Sequence, residues 1–516
     1  MSMNEGGVGS WIERHARIAP DRPALVSADR RRTYAELATR IRRLANGLRD
    51  LGVERGDRIG WLGSNDPAFL ELLFAAGLTG AVLAPVNHRL GPAARAGVLA
   101  DTAPVVLVEH RIAATPTDTP PSVRHRIVVG ERVGATPAPG ALAFEALIAG
   151  SPETPVTAPI GVDDLLLLPH TSGTTGEPKA VMLTHGNLTW NALNVLIAAG
   201  LRADDVTITI APFFRTGGTG VNVLPLLLAG GTVVVPDSTE ANEVVETMER
   251  HAVTVGFGNP DLLDALARSE RWPSADFSHL RFIITGGAPV PDRLVRAYRA
   301  RGIALLQGYG LSEAAPVVLL LDPASALDHV GSAGRPVPFV DVRIVDDLER
   351  DAPSGQTGEL LVRGPNVMAG YWNRPGATAE ALRAGGWLRT GDAARADARG
   401  YMWIVDRVDA RLVTVGGVVY PGDVERVLLA HPDVADAGVV GVPAAAPGGV
   451  KVGAAFVVPA PSAAWGAAEL LAFARERLPA HAVPASIRFV DALPRNAVGK
   501  LDRGALAALA TGTPKP

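Results

Sequence analysis

The sequence predicts an α/β protein: a large N-terminal domain of α/β layers with a β-rich subdomain, then a small α+β C-terminal domain. Three observations lead there. Short apolar runs bounded by Gly, Pro or charge recur along the chain, with helix-length segments between several of them. From about Asp341 the strands crowd together with little helix between them. After Arg407 comes a compact piece of one helix and two strands. With 516 residues the chain is too long for one core, and its 47% hydrophobic content is ample for more than one.

Thr33–Leu51 reads as the first clear helix: Thr33 and Glu36 have capping-box spacing, Leu37, Ile41, Leu44, Leu48 and Leu51 form one apolar stripe, and Gly52 supplies the stop. Buried strands are expected at "RIGWLG", "PVVLVE", "RIVVGE", "LLLLPH", "GTVVVP", "RFIITGG" and "IALLQGYG". Residues 151–159, "SPETPVTAP", read as a surface loop or subdomain linker. The β-rich subdomain spans about 335–406, with strands at "VRIVDD", "GELLVRG" and "YMWIVDR". A boundary at Asp406–Asp409 divides the chain into 1–406 and 407–516. The second part holds a helix near Asp423–Ala430 and strands near Ala437–Val442 and Gly453–Val458.

Composition excludes several classes. The net charge is −4 and no long basic run occurs, which argues against a nucleic-acid binder. No cysteine is present, so disulfides, thiolate metal sites and a cysteine nucleophile are out. The N-terminus lacks a signal-peptide layout, and "TGGTGVNVLPLLLAGGTVVVP" reads as helix then buried strand rather than a membrane span. A soluble cytoplasmic protein is expected, and a homodimer is compatible with the sequence.

"HTSGTTGEPKAVMLTH" (170–185) carries the chemistry. Glycines and hydroxyl residues after an apolar run turn backbone N–H groups toward an anion. Lys179 adds a point charge suited to phosphate, in a chain with only four lysines among its 49 basic residues. The string resembles the phosphate loop of the adenylate-forming superfamily: acyl-CoA synthetases, peptide-synthetase adenylation domains and firefly-type luciferases. Further segments resemble that family in order: "GGAP" (286–289), "QGYGLSEA" (307–314), "RTGD" (389–392), "DRVDA" (406–410) and "PRNAVGK" (494–500). The resemblance covers nearly the whole chain.

It implies an acid that attacks the α-phosphate of ATP, followed by displacement of AMP by a thiol. Thr171, Ser172, Gly173, Thr174, Thr175, Gly176 and Lys179 would hold the β and γ phosphates, and Glu313 would hold Mg2+. Gly287, Ala288, Pro289, Gly308 and Gly310 would line the adenine side. Tyr309 would stack on the base and Ser312 would touch the α-phosphate. Asp392 would bind the ribose hydroxyls with Arg407 in support. Lys500 would bridge the acyl carboxylate and the α-phosphate. Asp409 matches the hinge of a mobile C-terminal domain. Its swing would bring Gly416 and Gly417 to the pantetheine arm of coenzyme A.

Two departures touch the adenylating geometry. The phosphate loop continues with Ala180 where the family has glycine, and a Cβ there would shift the loop if φ were positive. Arg215 stands where the family carries histidine, as a fixed cation that would grip a substrate or nucleotide anion or obstruct the usual movement. The acyl pocket would be lined by Phe214, Thr216, Gly217, Gly258, Asn259, Gly286 and Gly310. Its glycines suggest room for a bulky acid, polycyclic or aryl-alkyl, with Asn259 adding polarity.

The leading expectation is an acyl-CoA ligase using ATP, Mg2+ and coenzyme A. The alternatives are a chain that only converts an adenylate supplied by a separate adenylating enzyme, a stand-alone ligase loading a carrier protein, and a non-catalytic nucleotide or acyl binder.

Overall fold

A computed structural model describes residues 7–27, 30–110, 119–130, 140–171, 178–326, 328–414, 416–443, 451–460, 465–495 and 501–511. The first expected helix occupies Tyr34–Asp50, and its capping box forms: Glu36 N–H donates to Thr33 Oγ1 at 3.2 Å, and Thr33 N–H donates to Glu36 Oε2 at 2.8 Å. Leu37, Ile41, Leu44 and Leu48 are buried along one face.

Residues 1–342 and 362–389 form one unit, in which most of the described strands build two large sheets. In the first sheet, Pro23–Ser27, Thr232–Val234, Val206–Thr209, Val255–Gly258, Phe282–Thr285 and Ala304–Gly310 lie parallel in that order. The antiparallel strand Val317–Leu320 continues it. In the second sheet, Leu165–Leu167, Val82–Val86, Arg58–Gly63, Val106–His110 and His125–Val129 run parallel. Lys179–Thr184 and then Gly370–Tyr371 extend one edge antiparallel. The expected apolar runs are therefore strands. Their apolar residues are nearly continuous because helices cover both faces of such sheets. The helix Pro67–Thr79 is buried almost all round, capped by Asp66, whose Oδ1 accepts the Ala68 N–H at 2.9 Å.

In the first sheet the segments singled out from the sequence share one edge. Residues 211–216, 259–261, 286–289 and 311–314 each come after the C-terminal end of a parallel strand. In open α/β sheets that edge is where ligands bind.

The second unit comprises 343–361 and 390–516. Val434–Pro443 pairs antiparallel with Lys451–Pro459, and Ser486–Phe489 adds a parallel third strand. Helices Pro421–Leu429, Ala467–Arg475 and Arg503–Thr511 accompany them, with Val424, Leu428, Val439, Val457 and Leu470 buried together.

This division differs from the expected boundary at 406/407, for a physical reason. Asp406 lies near the end of the strand Met402–Arg407, and its side chain accepts hydrogen bonds from Gly422 N–H at 2.7 Å and Arg503 at 3.1 Å. Arg395 pairs with Asp423 at 3.0 Å. Polar bonds thus tie 390–406 to the helices and strands of the C-terminal piece, and the expected hinge at Asp409 lies inside the second unit. No helix among the described residues is long and apolar enough to cross a membrane.

Candidate active site

In the first unit the ends of the phosphate-loop segment are pinned. His170–Thr171 and Lys179–Thr184 are antiparallel, with Thr171 opposite Lys179 and Ala180 opposite His170. Ser172, Gly173, Thr174, Thr175 and Gly176 lie outside the described residues. Ala180 is fully buried against Val82, Ala84 and Leu168, and it is not among the residues with positive φ. Its Cβ therefore fills a packing position in a strand. That removes one of the two grounds for expecting a chain unable to adenylate.

Lys179 and Glu313 meet at a residue that no sequence motif singled out. The Lys179 ammonium sits 5.3 Å from the centre of the Tyr371 ring, and the Tyr371 hydroxyl donates to Glu313 Oε1 at 2.8 Å. Tyr371 faces this way because Gly370–Tyr371 pairs with the Lys179 strand, Tyr371 opposite Val181. The backbone of Glu313 is fixed as well: its carbonyl accepts Met368 N–H at 2.9 Å, and Asn366, fully buried, donates to the Ala314 carbonyl at 2.7 Å. Only a two-residue strand after a loop carries Tyr371, so no periodicity marks it.

Ser312 Oγ lies 3.0 Å from Thr216 Oγ1, which joins the loops after Thr209 and Gly310. Tyr309 sits on the strand Ala304–Gly310, half-buried, with Gly308 and Gly310 beside it. Gly287 has φ +83°, and a Cβ there would meet nothing within 4 Å.

The glycines expected to line the acyl pocket behave otherwise. A Cβ on Gly258 would sit 2.8 Å from Leu263 Cδ2, and one on Gly286 would sit 2.7 Å from the Gly308 carbonyl oxygen. On Gly310 it would fall on the Pro316 carbonyl oxygen, and on Gly217 it would press the Phe257 ring at 3.3 Å. These positions lack side chains because neighbours already fill the space, so the glycine content does not argue for a bulky acid. Asn259 has a structural duty: its Oδ1 accepts Leu262 N–H at 3.0 Å as the N-cap of Pro260–Ala267. Phe214 is buried and meets His88 edge-on, with 5.5 Å between ring centres.

In the second unit the segment expected to bind ribose forms a clasp. Asp392 stands opposite Arg407 across two antiparallel strands, and Arg407 Nη1 donates to Asp392 Oδ1 and to the Thr390 carbonyl, both at 2.9 Å. Gly391, at φ +69°, lets the guanidinium lie against the chain, because a Cβ there would collide with it. Thr390 Oγ1 accepts Asp392 N–H at 3.0 Å, which fixes the aspartate backbone.

Asp409 lies in the turn Val408–Ala410 with its side chain exposed. Gly417 starts the strand Gly417–Val419, while a Cβ on Gly416 would collide with His481, so the close approach seen at Gly416 is to that ring. Lys500 lies outside the described residues, but the flanking Arg495 and Leu501 form an antiparallel bridge, and Arg495 binds Asp436 at 2.6 Å.

This fold, with a phosphate-loop lysine linked to a carboxylate and an Asp–Arg clasp, defines a nucleotide-handling enzyme. The family described as AMP-binding enzyme matches residues 12–372, and the AMP-binding enzyme C-terminal domain matches 423–500. The chain belongs to this adenylate-forming family. A feruloyl-CoA synthase of Amycolatopsis sp is 44% identical over 503 residues, covering 97% of this chain and 99% of that protein. The crystal structure of an anthranilate CoA ligase in complex with anthranoyl-AMP superposes with a TM-score of 0.89 at 28% identity, covering 98% of each chain. The O-succinylbenzoate coenzyme A synthetase of Bacillus subtilis, in complex with ATP and magnesium ion, gives 0.83 at 30% identity, covering 96% of this chain and 99% of the other. Within its family the chain is an AMP-forming acid–thiol ligase.

Proposed function

We propose that the protein converts an aromatic or aryl-alkyl carboxylic acid to its coenzyme A thioester through an acyl-AMP intermediate. The observation that carries this reading is the linkage of Lys179 and Glu313 through Tyr371, which gathers a phosphate-seeking cation and a hard-cation ligand at one place. The feruloyl-CoA synthase and the anthranilate ligase act on, or bind, aromatic acids or their adenylates, which supports the aromatic class. A polycyclic acid has no support from the glycines, whose space is filled.

In the first step the acid carboxylate attacks the α-phosphate and pyrophosphate leaves. Lys179 neutralises the departing phosphates, Ser312 hydrogen-bonds the α-phosphate, and Lys500 bridges the two reacting groups. Asp392 and Arg407 hold the ribose. Among the described residues no cluster of three side chains could cage a metal. Glu313 would hold a magnesium ion, a hard cation suited to a carboxylate, since the Tyr371 hydroxyl bonds only its Oε1. That ion would neutralise phosphate charge. In the second step the coenzyme A thiol displaces AMP.

The test is pyrophosphate release with ATP, Mg2+ and a panel of aromatic acids, run beside thioester formation from the matching synthetic adenylates. Activity in both assays is expected. Thioester formation from adenylates alone would replace this reading with a ligase that depends on a partner for the adenylate.

A further inference from the structure

Arg215 precedes the short helix Thr216–Gly220, and Phe214 before it is buried. Neither an ion pair nor a hydrogen bond joins the Arg215 guanidinium to a carboxylate among the described residues. Its charged neighbour is another cation, Arg89. Both burial and Arg89 disfavour the positive charge on Arg215. The Arg89 guanidinium lies 6.0 Å from the centre of the Phe214 ring, and His88 meets the same ring. Behind them Arg95 is 5% exposed, its Nε has no hydrogen-bond partner, and its charge reaches His88. Asp66, the acidic residue bordering this group through His110, already holds that ring at 3.3 Å and caps a helix.

Elsewhere in the chain several withdrawn arginines sit on carboxylates, Arg40 on Glu71, Arg281 on Asp205 and Arg503 on Glu425, and others such as Arg301 on backbone carbonyls. Three arginines gathered without an acid, around a histidine that burial, Arg89 and Arg95 hold toward its neutral form, carry a charge that an anionic ligand would relieve. Arg215 adjoins Thr216, whose Oγ1 lies 3.0 Å from Ser312 Oγ. Ser312 is the residue proposed for the α-phosphate, which the reacting carboxylate attacks. Arg215 feels instead the charge of Arg89, which itself lies over the Phe214 ring, so its charge is open to another part of the acid.

We propose that Arg215, backed by Arg89, binds a second acidic oxygen group on the acid substrate, a carboxylate or a phenol ionised on binding. The proposal rests on the ligase reading and narrows its substrate class. A guanidinium fork matches a carboxylate in two parallel hydrogen bonds. It also lowers the pKa of a phenol held beside it.

The experiment compares cinnamate, 4-hydroxycinnamate and 4-carboxycinnamate as substrates of the full chain, reading AMP formation with ATP and coenzyme A. Wild type is expected to favour one or both of the acidic analogues over cinnamate by about tenfold in kcat/KM, mostly through KM. Arg215→Met should lower that ratio by about tenfold, whatever its absolute rate, and Arg215→Lys should retain part of it. A wild type that uses cinnamate as well as the others overturns the proposal, as does an Arg215→Met variant that leaves the ratio intact. So does a selective rise in KM for ATP, or for coenzyme A but not dephospho-coenzyme A, because the cation would then serve a nucleotide. AMP formation from none of the acids would overturn the aromatic-acid ligase reading itself, and this proposal with it.

Discussion

The hydroxyl of Tyr371 donates a 2.8 Å hydrogen bond to Glu313 Oε1, while the same ring faces the Lys179 ammonium. One tyrosine thus sets the distance between the residue proposed for the phosphates and the residue proposed for magnesium. Tyr371→Phe keeps the ring and removes the hydroxyl. Adenylation should fall by about tenfold or more, since hydrogen bonds to charged groups are worth roughly 1.5–3 kcal/mol. The KM for Mg2+ should rise, and thioester formation from a synthetic adenylate should be unchanged. A magnesium titration of pyrophosphate release checks this.

Lys500→Ala should separate the half-reactions. Without the bridging charge, pyrophosphate release drops by about a hundredfold or more, while thioester formation from a supplied adenylate persists. Equal loss in both assays would give Lys500 a different role.

The N-terminal sheets and the Thr33 capping box are legible in the sequence because burial on both faces writes itself as apolar runs, and caps write themselves as side-chain types. Ala180 is legible as a departure, but its harmlessness is not, because φ and the packing of Val82 and Leu168 are tertiary facts. Asn259 looks like a polar wall residue, and only the fold shows its oxygen spent on Leu262 N–H. The unit boundary departs from the expected one because ion pairs such as Arg503–Asp406 join residues 97 apart and leave no local pattern.

Asp406 is 6% exposed and accepts from Arg503, which starts the helix three residues after Lys500. Asp409, the proposed hinge, lies between the two in sequence, so a swing there must break the pair. Asp406→Asn should move the half-reactions in opposite directions, one faster and one slower, because it shifts the balance of two orientations. Arg503→Met leaves Glu425 buried without its cation and should also cost about 3 kcal/mol of stability. Both half-reactions and denaturant melts check these outcomes.

His185 is fully buried, its Nδ1 accepts Val8 N–H at 3.0 Å, and burial holds its pKa down at about 4 despite the opposing pull of Asp164. The unfolded chain takes up this proton near pH 6.5. Its contribution to stability is therefore complete above about pH 6.5 and is lost as pH falls toward 4. At about 1.4 kcal/mol per pH unit the loss is of the order of 3 kcal/mol. His185→Gln should flatten this part of the profile, as read by melts at successive pH values.

Asn259→Ala should lower stability by about 1 kcal/mol through the lost helix cap. The ranking of acids should stay as it is, since the side chain points its oxygen into the backbone. A changed ranking with unchanged stability would return Asn259 to the pocket wall.

The filled space over Gly258, Gly286 and Gly310 limits how this enzyme can be retargeted. In a pocket whose glycines leave real vacancies, adding side chains one at a time carves new selectivity. Here each such addition would push against backbone or crowd a leucine, and a mutant library built on those codons would return mostly unfolded chains. Diversity is better spent on Phe214 and Thr216, the expected lining residues whose side chains already occupy the space.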